Sequence, residues 1–191
     1  VTGNTAVYRV NSNGSEDTSF SLLPYRGRVF DAFVSNNGSL FIGGSFTNLG
    51  GIGVNNLAKL NADGTINASF NVGTGPNSVV YSIAPQPDDK LVIGGFFTSV
   101  NSTYAKGIAR LNADGSIDQG FDTGLGVNGG VYSVSVQADS KMTLAGSFSL
   151  YNNIARKNLV RIANDGAIDD SVTDQAAGFV RALHDQPDGK K

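Results

Sequence analysis

The chain has 191 residues, a formal net charge of −2 at pH 7, 25 glycines, one histidine and no cysteine. This charge gives no basic surface for nucleic acid, and a chain without cysteine can form no disulfide, thiolate zinc site or cysteine nucleophile. No apolar run approaches the roughly 18 residues of a membrane-spanning helix, so we expect no membrane insertion.

Both ends of this sequence are expected to be cut from a longer chain. Residues 1–6 lack the charged and apolar regions of a signal peptide, and residues 188–191 form the turn-like sequence Asp-Gly-Lys-Lys. We therefore expect a mature or truncated piece of a longer protein.

A unit of about fifty residues repeats along the chain. Glycines that suit a hairpin turn recur in steps of 50, 51 and 51 residues, at Gly14, Gly64, Gly115 and Gly166. The residue that ends each copy is aromatic three times and Val172 in the fourth, at Phe20, Phe70 and Phe121. Two small residues recur at the same spacing, at Gly43-Gly44, Gly94-Gly95 and Ala145-Gly146. So many recurring residues would not keep a common spacing by chance, so the pattern predicts a repeat architecture.

Each copy contains four short segments rich in Val, Ile, Leu and Phe, separated by turn residues. In the third copy they are residues 131–136, 141–148, 157–162 and 167–172. No window has helical spacing over ten or more residues, so little helix is expected. Four antiparallel strands in about fifty residues are typical of a β-propeller blade. The sequence predicts an all-β fold, a β-propeller of four-stranded antiparallel blades with a repeat of about 51 residues, present as an incomplete set.

The phase of the repeat divides the chain into five segments. Residues 1–28 would be strands 3 and 4 of a preceding blade, and residues 179–191 the first strand of a further, truncated blade. One complete blade would occupy each of residues 29–78, 79–129 and 130–178. Because propellers close with about 4–8 blades, we expect further blades of the same parent chain, or self-association, to complete the ring.

Two local features predict packing. A glycine pair inside a strand removes side-chain contacts, so we expect an aromatic neighbour against the bare backbone. The candidates are Phe46, Phe97 and Phe148, with Tyr81 and Tyr132 beside them. The turn geometry also sets a hairpin register in which a basic residue faces a carboxylate in three of the four copies. The facing pairs are Arg9 with Asp17, Arg110 with Asp118 and Arg161 with Asp169, whereas Lys59 faces Asn67.

Residues 108–121 (IARLNADGSIDQGF) and 86–98 (QPDDKLVIGGFFT) together resemble the delta-60 repeat family. The resemblance covers three near-complete copies and a partial fourth; the first copy departs from it with Asn13-Gly14 and with Asn-Asn-Gly at 36–38. It implies kelch-like propeller blades from large secreted and cell-surface proteins, mostly bacterial. It implies surface display and binding, and no reaction.

The loops at one end of the blades supply the candidate ligand-binding residues, because variable loops of repeat folds gather on one face. Asn77 and Asn128 lie in connectors between blades. Tyr104, Tyr151 and Asn152 lie in long loops between the second and third strands. Aromatic and amide side chains suit stacking on sugars or on flat protein surfaces.

The hairpin at 112–118 resembles the middle of a calcium-binding loop. If calcium binds, its ligands would be Asp63, Asp114 and Asp165. The flanking ligand positions hold Arg110 and Phe121, so a simple turn explains the same residues. No other cofactor is expected.

Catalysis is not expected, because the single histidine, His184, has no second histidine or cysteine with which to build a catalytic or zinc unit. We expect a non-catalytic module, secreted or at a bacterial cell surface, that serves binding or adhesion. Its partner would be a protein or glycan surface ligand, and not nucleic acid. Two alternatives remain: a lectin-like propeller that binds glycans between blades, or a purely structural spacer in a surface filament.

Overall fold

The computed structural model describes residues 9–20, 24–171 and 176–184. Val172, both chain ends and the turn-like residues 188–191 lie outside this part of the chain. All regular structure within it is β, and no helix there is long and apolar enough to cross a membrane. The all-β prediction is confirmed.

Three blades follow one another along the chain. The first contains β1 (Tyr25–Val34), β2 (Leu40–Leu49), β3 (Ile52–Gly53) and β4 (Leu57–Leu60). The second contains β5 (Val80–Pro85), β6 (Leu91–Gly95), β7 (Ser99–Val100), β8 (Thr103–Tyr104) and β9 (Ile108–Leu111). The third contains β10 (Gly130–Val136), β11 (Met142–Ser147), β12 (Leu150–Tyr151), β13 (Ile154–Ala155) and β14 (Leu159–Ile162).

The main strands of each blade are antiparallel, in the orders β1-β2-β4, β5-β6-β9 and β10-β11-β14. The short strands form β-hairpin extensions: β3 pairs with β2, β7 with β8, and β12 with β13. The glycine-containing strand is central in every blade.

The fourth segment of each blade is shorter than the repeat predicts. Ile66, Ile117 and Ile168 each form a single antiparallel bridge to the third strand. The chain then leaves its own sheet for the next blade: the N–H of Asn71 donates to the carbonyl of Asp114 at 2.7 Å, and the N–H of Asp122 donates to that of Asp165 at 2.8 Å. The fourth strand therefore ends early because its backbone binds the neighbouring hairpin.

The hydrophobic core consists of layers between successive blades. One layer joins Phe41 and Leu57 of the first blade to the second blade, and Phe70 lies within it. A second layer joins Val92 and Ile108 to the third blade. Strand β6 contributes alternate residues to both layers, since Leu91 and Ile93 belong to the first of them. The central strands are apolar on both faces because each blade is covered on both sides.

The first glycine of each glycine pair packs against the next blade. A Cβ atom at Gly94 would lie 2.7 Å from Val131 Cγ1 and 2.9 Å from Val134 Cγ2 of the next blade, and one at Gly43 would lie 2.8 Å from Val80 Cγ1. The expected aromatic neighbour occurs at Gly95, where Phe97 Cδ1 would lie 3.0 Å from a Cβ atom. At Gly43 and Gly94 that expectation is wrong, because aliphatic side chains on the first strand of the next blade, which we call its inner strand, fill the space.

An arginine before each of two hairpins connects that hairpin to the next blade. Arg110 Nε donates to Asp118 Oδ2 at 2.7 Å, and its Nη1 donates to Oδ1 and the carbonyl of Asn164 in the third blade. Arg9 repeats this arrangement with Asp17 and the carbonyl of Ala62, both at 2.7 Å. The third expected pair, Arg161 with Asp169, lies at 3.3 Å.

The first blade lacks this fastening. Lys59 Nζ lies 5.0 Å from the ring centroid of Phe41, and Asn67 donates its amide to Asn61 Oδ1 at 2.8 Å. The hairpin register predicted from the sequence is confirmed in all four copies, because backbone N–H groups at 17, 67, 118 and 169 donate to carbonyls at 9, 59, 110 and 161.

Gly94→Ala is expected to lower the free energy of unfolding by about 1–3 kcal/mol, the usual cost of overpacking a dense core. The reason is the overlap of a new methyl group with Val131 and Val134. Gly53→Ala is the matched control, since a Cβ there would have nothing within 4 Å. Denaturant unfolding followed by circular dichroism measures both, and equal midpoints for the two variants would contradict close packing between blades.

Asp118→Asn is expected to destabilise the protein at pH 7 by about 1–2 kcal/mol, through its weakened charged hydrogen bonds. Burial raises the pKa of Asp118, but hydrogen bonds from the Gly120 N–H, Lys90 and Arg110 together hold that pKa below its ordinary value. The stabilisation is therefore complete above the ordinary carboxyl pKa of about 4 and is lost as the pH falls through the lower folded-state pKa.

The measurement is the difference in unfolding free energy between wild type and Asp118→Asn from pH 7 to pH 2. It should stay constant down to about pH 5 and shrink below about pH 4. Asp88→Asn serves as control, because Asp88 is exposed and its ion pair with Lys90 is long, at 3.5 Å. A difference that grows in acid would contradict the assignment.

Candidate functional site

The first strand of each blade carries a β-bulge at the same place in the repeat. The pairing register shifts between Val29 and Asp31, between Val80 and Ser82, and between Val131 and Ser133. The extra residue is aromatic each time: Phe30, Tyr81 and Tyr132. A bulged residue does not take part in the backbone pairing between strands. Its side chain therefore points in a different direction from the one that the alternation of faces along the strand would give.

The three bulged residues and Phe96 form one group, which we call the aromatic cluster. The ring centroids of Phe30 and Tyr81 are 5.0 Å apart, and those of Tyr81 and Tyr132 are 5.4 Å apart. Phe96 lies 5.9 Å from both tyrosine rings. The pairs are tilted or edge-on, the favoured geometry for aromatic contacts. Arg181 extends the group, with its guanidinium carbon 6.0 Å from the Tyr132 centroid.

Phe96 reaches this position because the third blade presents bare backbone to it. A Cβ atom at Gly130 would lie 2.4 Å from the Phe96 ring, so the ring sits directly on a glycine. The N–H of Phe96 donates to the carbonyl of Val79 at 3.0 Å, which anchors it at the end of β6. Phe96 remains 40% exposed and Phe30 43% exposed. The aromatic cluster is therefore a surface patch that three blades share.

Side chains on the inner strands fix the spacing of the bulges. Asp31 Oδ2 accepts from the N–H of Ile83 at 2.7 Å, and Ser82 Oγ accepts from the N–H of Val134 at 3.1 Å. Ser133 Oγ accepts in the same way from Leu183, beside the exposed His184. Burial raises the pKa of Asp31, although the N–H groups of Ile83 and Ala32 donate to its carboxylate. These bonds connect the first strands of consecutive blades, which carry the three bulged residues of the aromatic cluster.

The two predicted connector residues make several hydrogen bonds within the protein. Asn77 Oδ1 accepts from the N–H groups of Thr98 at 2.8 Å and Ser99 at 3.2 Å. Asn128 Oδ1 accepts from those of Ser149 at 2.8 Å and Leu150 at 2.9 Å. Each asparagine therefore ties a connector to the hairpin of the following blade. Their role in ligand binding stays a prediction.

The other three predicted residues surround the connector at 125–128. Tyr104, which is 56% exposed, donates its hydroxyl to the carbonyl of Leu125 at 3.0 Å, and Asn152 Oδ1 accepts from the Leu125 N–H at 3.1 Å. Tyr151 is 1% exposed and donates to the carbonyl of Gly166 at 2.5 Å. Burial raises the pKa of the Tyr151 hydroxyl, as do nearby carboxylates. Of the two tyrosines, Tyr104 offers the more accessible ring to a ligand.

The predicted calcium ligands act within their own turns. Asp63 Oδ1 accepts from the Oγ1 and N–H of Thr65, and Asp114 Oδ1 accepts from the Oγ and N–H of Ser116. These hydrogen bonds lower the pKa of both carboxyls. Asp165 Oδ1 accepts from the N–H of Ala167 at 3.0 Å. In residues 9–20, 24–171 and 176–184, no three His, Cys, Asp or Glu side chains form a metal-binding group. Calcium binding stays a prediction.

The sequence predicts only part of the aromatic cluster. It predicts that Tyr81 and Tyr132 pack beside the glycine pairs, and it gives no prediction for Phe30 or Phe96. The available signal was an aromatic residue after the first valine of the apolar run in three copies, at a spacing of 51 residues.

Comparison with known families supports the repeat. The family model described as "Domain of unknown function (DUF5122) beta-propeller" matches residues 36–70, 86–121 and 137–171. These matches cover more than half of the chain and run from the turn before each second strand to the end of each copy. No curated protein matches the sequence significantly.

Gly130→Ala is expected to displace the Phe96 ring, because the new methyl group would overlap it. The ring is partly exposed and can swing away, so the loss of stability should stay below about 1 kcal/mol, while the near-ultraviolet circular dichroism changes. Gly178→Ala is the control, since a Cβ there meets nothing within 4 Å. An unchanged spectrum for Gly130→Ala would contradict the contact.

Proposed function

This chain belongs to the beta-propeller family of domains of unknown function, and we propose that it is a non-catalytic module that binds a surface ligand through the aromatic cluster. The observation that carries the proposal is a patch of four aromatic rings, shared by three blades, in which Phe30 and Phe96 are widely exposed. Exposed apolar patches of this kind mark interaction sites in soluble proteins.

The finer family assignment is part of the proposal. The strings at 86–98 and 108–121 support delta-60 repeats of the kelch-like type, and with them a bacterial protein that is secreted or held at the cell surface. The ligand would be a protein or glycan on another surface. Flat aromatic side chains suit a protein or a glycan ligand, because they bury a large area with little loss of side-chain freedom.

The absence of catalysis is also proposed. The carboxylates of Asp63 and Asp114 are engaged in their own hairpin turns, and His184 is exposed at the edge of the third blade. A general acid–base pair needs titratable groups that converge on one substrate position. We therefore propose that this surface binds a ligand and does not catalyse a reaction.

The double variant Phe30→Ser/Phe96→Ser tests the proposal, because it removes the two exposed rings of the aromatic cluster. Labelled 191-residue protein is applied to a glycan array and to a panel of immobilised extracellular-matrix proteins. We expect wild type to bind one of these probes and the double variant to bind it at least about tenfold more weakly. Truncation of an aromatic hot-spot residue typically lowers affinity by this much or more.

The control is Ile154→Ser, which removes a side chain that is 48% exposed on the short strand β13. It should bind like wild type. Binding of a neutral glycan that the double variant retains would favour the lectin-like alternative and overturn the assignment to the aromatic cluster. A wild-type protein that binds neither probe would favour a structural spacer.

A further inference from the structure

A cavity of about 410 Å³ lies between the first and second blades, at the opposite strand ends from the aromatic cluster. It opens between the β1–β2 turn and the β5–β6 turn. Its volume falls within the range of small-molecule sites in proteins. We propose that it binds a small organic carboxylate with a hydroxylated ring, a hexuronic acid, and that Lys59 holds the carboxylate. This site goes beyond the proposed function and is independent of it.

The cavity exists because one interface between blades lacks side chains that another has. Between the second and third blades, Arg110 and Gln86 both bind Asn164, the latter through Nε2 and Oδ1 at 3.1 Å. At the repeat-equivalent positions, the first interface has Lys59, Ser35 and Ala113. All three of these smaller residues line the cavity. The space that this side-chain network fills at the second interface is therefore open at the first.

The charges at the cavity leave a cation without a carboxylate partner. Lys59 forms no ion pair within the described part of the chain, and the position opposite it in the hairpin is the neutral Asn67. Lys90 also lines the cavity but is paired with Asp118 at 3.1 Å and Asp88 at 3.5 Å. The one carboxylate in the lining is Asp89. An anionic ligand would therefore complete the ion pair that the other copies make internally.

The remaining lining suits a sugar ring. Phe33 is half-buried and lines the cavity, and it stacks on the buried Phe41 with ring centroids 6.3 Å apart. An aromatic face packs against the C–H face of a sugar, and amide groups recognise its hydroxyls. The amide of Asn36 lies on the β1–β2 turn at the same cavity, as does the Nδ2 group of Asn37, whose Oδ1 accepts from Ser35 and Ser39. The lining therefore combines a cation, an aromatic wall and amides, which together match a uronic acid.

The test is titration of the 191-residue protein with sodium D-glucuronate, followed by nuclear magnetic resonance shifts, with D-glucose as the neutral analogue. Wild type should bind glucuronate more tightly than glucose. Lys59→Gln should weaken glucuronate binding about tenfold or more, since hydrogen bonds between charged groups exceed neutral ones. Lys157→Gln, at an exposed lysine of the third blade, should bind like wild type.

A second variant fills the cavity and keeps a positive charge. Lys59→Arg/Ala113→Asn installs two of the residues that close the next interface, so it should lose glucuronate binding while its thermal midpoint rises. The variant Phe30→Ser/Phe96→Ser should keep glucuronate binding, which separates this site from the aromatic cluster. Equal affinity of wild type and Lys59→Gln, or no preference for glucuronate over glucose, would overturn the proposal.

Discussion

Close approach between consecutive blades is the constraint on which this structure depends. A blade is a small sheet that is apolar on both faces, and it can bury those faces only against its neighbours. The glycines at 43 and 94 allow this approach, because the next inner strand occupies the space where their side chains would be. Once the inner strands lie that close, their bulges stand side by side. The contacts among Phe30, Tyr81 and Tyr132 then follow from the repeat itself, without any added loop.

Two kinds of polar fastening supplement this packing, and they differ in how strictly they repeat. On the inner strands, Asp31 and Ser82 both accept a backbone N–H from the following blade, so the bond persists although the residue changes. At the hairpin ends the bond needs a guanidinium that reaches two acceptors at once, and a lysine cannot replace it. The blade that carries Lys59 therefore lacks the fastening that the Arg110 blade has. The chain tolerates this loss because the apolar layer around Phe41 and Phe70 is intact.

Much of the fold could be predicted from the sequence, because residues that recur in every copy identify the strands and turns even where one copy alone would be ambiguous. The period, the antiparallel order and the hairpin register all depend on residues that recur, such as Gly115 and its equivalents. The exposed cluster could not be predicted in the same way, since an aromatic residue in an apolar run has the same pattern whether the strand is regular or bulged. The early end of the fourth strand was also invisible, because it results from a backbone bond between Asn71 and the next blade. Loop position likewise predicts Asn77 and Asn128 as ligand-binding residues, but it could not show that their amides bind the backbone of the following hairpin.

The two surfaces of this protein arise from opposite properties of the repeat. Three of the four rings of the aromatic cluster are present because three copies agree, each with an aromatic residue at the bulge of its first strand. The cavity beside Lys59 exists because copies disagree, so that a network built from Arg110, Gln86 and Asn164 has no counterpart one interface earlier. A repeat fold can acquire such a cavity at little cost, since the substitutions lie at strand ends and leave the apolar layers untouched. For a chain of this kind, the copies that depart from the common pattern are the places where binding specificity can arise.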